Sequence, residues 1–227
     1  MEAKEEKDLQ LDRLVFFSDA VVAIAITLLA LDLRLPRPGP EHLHWADVGA
    51  QWRTFAAFLL SFINIAGFWR MHYRFCIYLR RADDRLLGLN VGWLLFIVLL
   101  PFTTTLVSSY FTDKPAMLLY CLNTLVIAVL QNFIWDYVVV RPALLKPQAL
   151  SRLTSYYLRV YCNLEMLNAA VAVAVVFFSP ALAFVLLFLK IPTSLIVWLF
   201  YRRRRARQQR RGRVDLLPNP SPKKRGA

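Results

Sequence analysis

The sequence predicts an all-α integral membrane protein with six transmembrane helices, and three observations carry that prediction. The 227-residue chain is 58% hydrophobic, with a mean hydropathy of +0.44. Its apolar residues come in long runs rather than at the two- or three-residue intervals of a soluble domain. Nearly all of its charge lies between those runs or at the ends. A bilayer demands this segregation, because a charged side chain at mid-membrane costs about 2.5 kcal/mol or more.

A spanning helix needs roughly 20 apolar residues at about 1.5 Å rise each. The first run extends from about Leu14 to Leu35 and the second from about Trp52 to Trp69. The third covers Leu86 to Phe111 and contains Pro101, and the fourth covers Ala116 to Val140. The fifth spans Leu158 to Phe178 and the sixth Ala181 to Tyr201, with Pro180 between them and almost no loop, which predicts a tight helical hairpin. The first run does not read as a cleaved signal peptide. It is too long, follows an acidic segment, and has no small-residue cleavage site before Pro36. The organisation expected is a cytoplasmic N-terminal segment at 1–12, a six-helix membrane domain at 13–201, and a basic tail at 202–227. That tail is expected to be disordered, since Val214 to Ala227 holds Pro218, Pro220 and Pro222 and no means of forming a core.

Charge sets orientation. Arg70, Arg74, Arg80, Arg81 and Arg85 lie between helices two and three, and Arg141, Lys146, Arg152 and Arg159 between four and five. The opposite connections hold only Arg34, Arg37 and Arg53, then Lys114, then none. The positive-inside rule therefore puts both termini in the cytoplasm of a multi-pass cell-membrane protein. The formal net charge of +13 does not point to nucleic acid. Its densest cluster, Arg202 to Arg205 with Arg207, Arg210, Arg211 and Arg213, directly follows the last hydrophobic run, where it meets anionic membrane lipids. Cys76, Cys121 and Cys162 are scattered and form neither a disulfide framework nor a metal-ligand spacing.

The first helix carries the most information. Arg13-Leu14-Val15-Phe16-Phe17-Ser18-Asp19 opens a run whose only later polar residues ahead of Arg34 are Thr27 and Asp32. Ser18 and Asp19 fit either an N-cap or a buried polar network locking this helix to its neighbours. Trp69 and His72 at the end of the second helix, and Asn90 at the start of the third, fall at the same depth and favour a network. His72 alone would read as an interfacial histidine. On the helix surface, Ile24, Leu28, Leu31 and Leu35 form one stripe with Thr27 at its edge. Val22, Ile26, Leu29 and Leu33 form an equally apolar second stripe.

Arg13, Phe17, Ser18 and Asp19 in the pattern Arg-x-x-x-Phe-Ser-Asp, with Trp69-x-x-His72 and Pro101-Phe102-x-Thr104, resemble the TMEM175 potassium channels. The motifs cover helices one to three; beyond them the likeness rests on hydropathy and helix count. Animal members carry two six-helix repeats and this sequence one, so the resemblance implies the bacterial form, a homotetramer about a four-fold axis. It implies passive conduction of potassium and other monovalent cations through a pore lined by the first helix. Of the two stripes it selects Ile24 as a hydrophobic constriction that gates by excluding water, with Thr27, Leu28 and Leu31 lining the pore. Arg13, Ser18, Asp19, Trp69, His72, Asn90 and Thr104 form the expected polar network behind it. Asp32 is expected at the outer mouth, or paired with Arg34 or Arg53. No Thr-Val-Gly-Tyr-Gly filter occurs, so selectivity is expected to be moderate.

Two rival classes are weaker. A proton-coupled carrier would use mid-membrane ionisable groups and broken helices. Its candidates are Asp136, Glu165 and Pro101, with Glu165 able to pair with Arg159 or Arg152; proton permeation through the same pore is a variant. An enzyme would need a nucleophile, paired carboxylates or a metal cluster. His42-x-His44 has the only metal-like spacing and reads better as a loop beside Trp45, so no catalytic residue, metal or cofactor is expected.

Overall fold

The computed structural model describes residues 2–34, 42–146 and 150–214. Six helices in it are long and apolar enough to cross a membrane, as the sequence predicts. Helix α1 (Glu2–Leu28) ends in a 3-10 turn at Leu29–Asp32, and the short α2 (Trp45–Ala50) precedes α3 (Trp52–Tyr78). Then come α4 (Asp84–Ser109), α5 (Lys114–Val139), α6 (Arg152–Val176), α7 (Pro180–Phe188) and α8 (Lys190–Val214).

Local chemistry sets the boundaries. Asp83 caps α4 by accepting the Leu86 amide at 2.9 Å, and Ser151 caps α6 through the Thr154 amide at 3.1 Å. Ser179 caps α7 through the Leu182 amide at 3.2 Å, with Pro180 at a first-turn position that has no amide to waste. Only residues 177–179 separate α6 from α7, giving the tight hairpin. Helix α3 runs on past Trp69 to Tyr78, and α6 starts at Arg152, ahead of Leu158. Both extensions carry arginines outward, which arginine's good helix propensity permits.

The sixth span differs from expectation, being two helices. Pro192 has no amide to bond the Phe188 carbonyl, and the Leu189 amide turns back to Leu186 O at 3.0 Å. The Thr193 hydroxyl supplies hydrogen bonding to Leu189 O (2.8 Å) and Lys190 O (3.0 Å) at this break. Beyond it, α8 remains helical through Val214, so the irregular tail does not begin at Arg202 as the composition suggests; residues 215–227 lie outside the described residues.

The core is aromatic and continuous. Trp93, Trp135, Tyr120, Phe68 and Phe75 are fully buried. The His72 and Trp93 rings stack at 4.7 Å, as do those of Phe75 and Trp135. Helix α5 sits between α4 and α6, while α1 packs on α4 and α3. The loops after α3 and α5 are tied by Arg80 N–H to Leu144 O (2.7 Å) and Lys146 N–H to Tyr78 O (2.9 Å). Asp83 joins this end by accepting the Tyr137 hydroxyl at 2.7 Å. Burial opposes its ionisation, but the Tyr137 and Leu86 bonds and nearby Arg141 and Arg85 hold its carboxyl below the ordinary value.

Candidate functional site

Helix α1 presents two unlike faces. Val22, Ala25 and Leu29 are buried against the bundle, with Ile26 and Leu33 partly so. Ile24 and Leu31 are 59% and 58% exposed, Leu28 is 39% exposed, and Thr27 is exposed as well. The two apolar stripes are thereby distinguished: one packs inside the subunit, and the other, apart from Leu35, which lies outside the described residues, is left uncovered by it. Thr27 turns its hydroxyl onto the Ile24 carbonyl at 2.8 Å.

Hydrogen bonds fix the packed face. Asn90 of α4 donates from Nδ2 to Ser18 Oγ at 2.8 Å, and its Oδ1 lies 2.7 Å from His72 Nε2 of α3. All three residues are buried. Ser18 also donates back to Leu14 O at 2.7 Å. A neighbouring bond runs from Trp69 Nε1 to Asp19 Oδ1 at 2.8 Å. The N-cap reading of Ser18 and Asp19 is overturned, because α1 begins at Glu2 and unpaired amides exist only in a helix's first turn.

Two expected members of this network stand apart from it. Arg13 is exposed and, among the described residues, joins neither set of bonds. Thr104 belongs to a second buried cluster, with its hydroxyl 2.7 Å from Ser61 Oγ and 2.7 Å from Leu100 O. Ser61 Oγ lies 3.0 Å from the Tyr120 hydroxyl, which accepts Asn64 Nδ2 at 2.9 Å. Ser61, Asn64 and Tyr120 escaped the sequence reading. Their only signal was a Ser-x-x-Asn spacing on one face of α3.

Other carboxylates find partners different from those expected. Asp32 pairs with neither Arg34 nor Arg53; it accepts the Thr105 hydroxyl of α4, while Arg34 turns back to Leu31 O at 3.0 Å. Glu165 pairs with neither Arg159 nor Arg152. Its Oε1 sits 3.1 Å from Lys190 Nζ, both side chains 8% exposed, and Arg159 is held by Asp136 at 2.7 Å. Lys190 was missed because it lies within the sixth apolar run, where only the helix break delivers it inward. His44 lies at the start of α2, its amide bonded to Asp47 Oδ2 at 2.9 Å. Among the described residues no three His, Cys, Asp or Glu side chains gather as a metal site.

A family model described as the endosomal/lysosomal potassium channel TMEM175 matches residues 13–101, which contain Ser18, Asp19, Trp69, His72 and Asn90. A potassium channel of Chamaesiphon minutus is 31% identical over 158 residues, spanning 66% of this chain and 75% of its own length. The chain belongs to the TMEM175 family. Within that family, a potassium channel of Streptomyces collinus is 39% identical over 105 residues, 46% of this chain and 50% of the relative. The human endosomal/lysosomal proton channel TMEM175 is 31% identical over 138 residues, 60% of this chain and 27% of the relative. The chain thus matches half of the Streptomyces protein and little more than a quarter of the human one. The crystal structure of a lysosomal potassium-selective channel TMEM175 homolog from Chamaesiphon minutus superposes with a TM-score of 0.69 at 25% identity, over 84% of this chain and 97% of that one.

Proposed function

We propose that this chain is one subunit of a potassium-permeable cation channel in which four copies surround a pore lined by α1. The observation that carries the reading is the division of α1 into a hydrogen-bonded, packed face and an uncovered stripe of Ile24, Thr27, Leu28 and Leu31. A helix pinned by Ser18 and Asp19 on one side is oriented to offer the opposite side to other copies. The potassium-channel names of its bacterial relatives supply the ion.

In this mechanism four Ile24 side chains form the narrowest ring. The ring excludes water when closed and passes partly hydrated cations when it widens. Thr27 follows as the one hydroxyl in the stripe. Asp32 stands near the outer end of the helix, its carboxylate accepting the Thr105 hydroxyl. The arginine-rich connections and tail sit in the cytoplasm, with both termini on that side of a cell membrane.

The names of the animal relatives favour a second reading, proton permeation through the same pore. One assay separates these. The purified chain is reconstituted in potassium-loaded liposomes and flux is followed with a proton-coupled dye, for wild type and Ile24→Asn. Wild-type flux above empty liposomes, faster in the variant, supports the pore. Dye response that persists when potassium is replaced by an impermeant cation supports proton conduction. No flux from folded, tetrameric protein sinks the channel reading and brings a carrier forward.

A further inference from the structure

A groove of about 220 Å³ lies between α6 and α8, away from α1 and both polar clusters. Its walls are Tyr156 and Val160 of α6 and Ile196, Val197 and Phe200 of α8. Buried Tyr157 lies beneath them. Tyr156, Ile196 and Phe200 are each more than half exposed, so the slot opens sideways rather than into the bundle. An apolar slot on a membrane helix pair matches a hydrocarbon chain.

One end of the slot is not apolar. Arg204 lines it, its guanidinium carbon 4.9 Å from the Phe200 ring centre. Tyr201 closes the same end and is bonded to Thr154 Oγ1 at 3.1 Å, which holds α8 against the first turn of α6. That turn is the positive end of a 25-residue helix and carries exposed Arg152. Arg74 stands behind, 3.1 Å from the Tyr157 hydroxyl. The nearest acid on α5, Asp136, is already paired with Arg159. Charge of one sign therefore gathers where the apolar slot ends, and a guanidinium fork there suits a phosphate diester.

We propose that this groove binds one anionic phospholipid, an acyl chain along the α6–α8 slot and the phosphate on Arg204 at the start of α6. The site is specific rather than a diffuse consequence of the arginine cluster, because Arg202 is drawn to the Trp198 ring at 5.3 Å and neither it nor Arg203 lines the slot. A zwitterionic headgroup satisfies the site less well, since its cationic end meets the Arg204 guanidinium. Binding here is independent of ion conduction and is read without flux.

The test uses the purified full chain, delipidated in detergent and offered equal phosphatidylglycerol and phosphatidylcholine, with bound lipid counted by native mass spectrometry. Wild type should retain the anionic lipid preferentially. Arg204→Gln should lower that retention roughly tenfold, as expected for loss of a charge-assisted bond, while Arg203→Gln leaves it unchanged. Ile196→Trp, which fills the slot and spares every arginine, should also release the lipid. Equal retention of the two headgroups, equal losses in Arg204→Gln and Arg203→Gln, or retention unaffected by Ile196→Trp would each overturn the proposal.

Discussion

The Glu165–Lys190 pair offers the sharpest test of how this bundle is held together. The charged atoms are 3.1 Å apart and both side chains are 8% exposed, so water does little to screen them. At an effective dielectric constant near 20 their attraction is about 5 kcal/mol, set against a desolvation cost of several kcal/mol per ion. The pair's net contribution is therefore small, yet removing one partner strands the other in an apolar site. The Lys190 ammonium also lies 3.9 Å from the centre of the Phe68 ring. Glu165→Leu or Lys190→Met alone should cost about 3–5 kcal/mol, and the double variant should recover most of it. For a chain of this size that is a fall of roughly 6–20 °C in midpoint for each single variant. Intrinsic tryptophan fluorescence during heating in detergent, with size exclusion as control, reads the shift. Single variants within about 1 kcal/mol of wild type, or a double variant costing the sum of the singles, would refute the reasoning.

Four further outcomes follow from other contacts. A Cβ at Gly67 would meet Lys190 Cε at 2.9 Å, so Gly67→Ala should destabilise by about 1–3 kcal/mol, and the same heating experiment should show that cost vanish in a Lys190→Ala background, where the contacting carbon is gone. Asn90→Leu leaves buried Ser18 and His72 without their shared partner and should cost about 2–5 kcal/mol. Combined with Thr104→Val its cost should be additive within about 0.5 kcal/mol, because the two clusters share no bond; a larger coupling in chemical denaturation would merge them. Asp83→Asn keeps the α4 cap but loses the charge held by Tyr137, Arg141 and Arg85. Since the folded carboxyl titrates below its unfolded value, its stabilisation is present above about pH 4 and disappears as pH falls through the folded value; melting across pH 3–7 should show variant and wild type converging at the acid end.

The spans were legible because the bilayer imposes a length and an apolarity that composition reports directly. The partners of Ser18 were legible for a related reason: polar groups inside a membrane helix must find one another, so residues of matching depth could be paired before their geometry was known. Trp69, His72 and Asn90 were found this way. Thr104 joined that group through the family motif and not through depth; on α4 it lies about 21 Å along the axis from Asn90, and at that depth Ser61 is its partner. Asp32 and Glu165 went astray because formal charge suggested arginine partners. A neutral hydroxyl at Thr105 and a lysine from within an apolar run lay closer once the helices packed. The hinge at Lys190 needed more than recognition of Pro192, since a proline in a spanning helix produces a bend, a break or neither according to what receives the freed carbonyl.

Helix α1 owes its two unlike faces to where it is fastened. Among the described residues, the side-chain bonds tying it to other helices lie at Ser18 and Asp19 and at Asp32, one near each end of the span. Between them the inward face is held by Val22, Ala25 and Leu29, with Val21 and Ile26 packed beside them, apolar side chains with no directional bond. Among the described residues, no side-chain hydrogen bond ties the stretch that carries Ile24 to another helix. Pro101 of α4 falls beside this arrangement, its carbonyl oxygen 3.1 Å from the Thr105 hydroxyl, whose single proton is shared between it and Asp32. Relaxing the outer fastening should therefore be felt at Ile24 while Ser18 remains anchored. In the liposome assay, Thr105→Val should change potassium flux without weakening the Asn90–Ser18 bond. Flux identical to wild type from a folded Thr105→Val protein would show that the outer fastening is structural only.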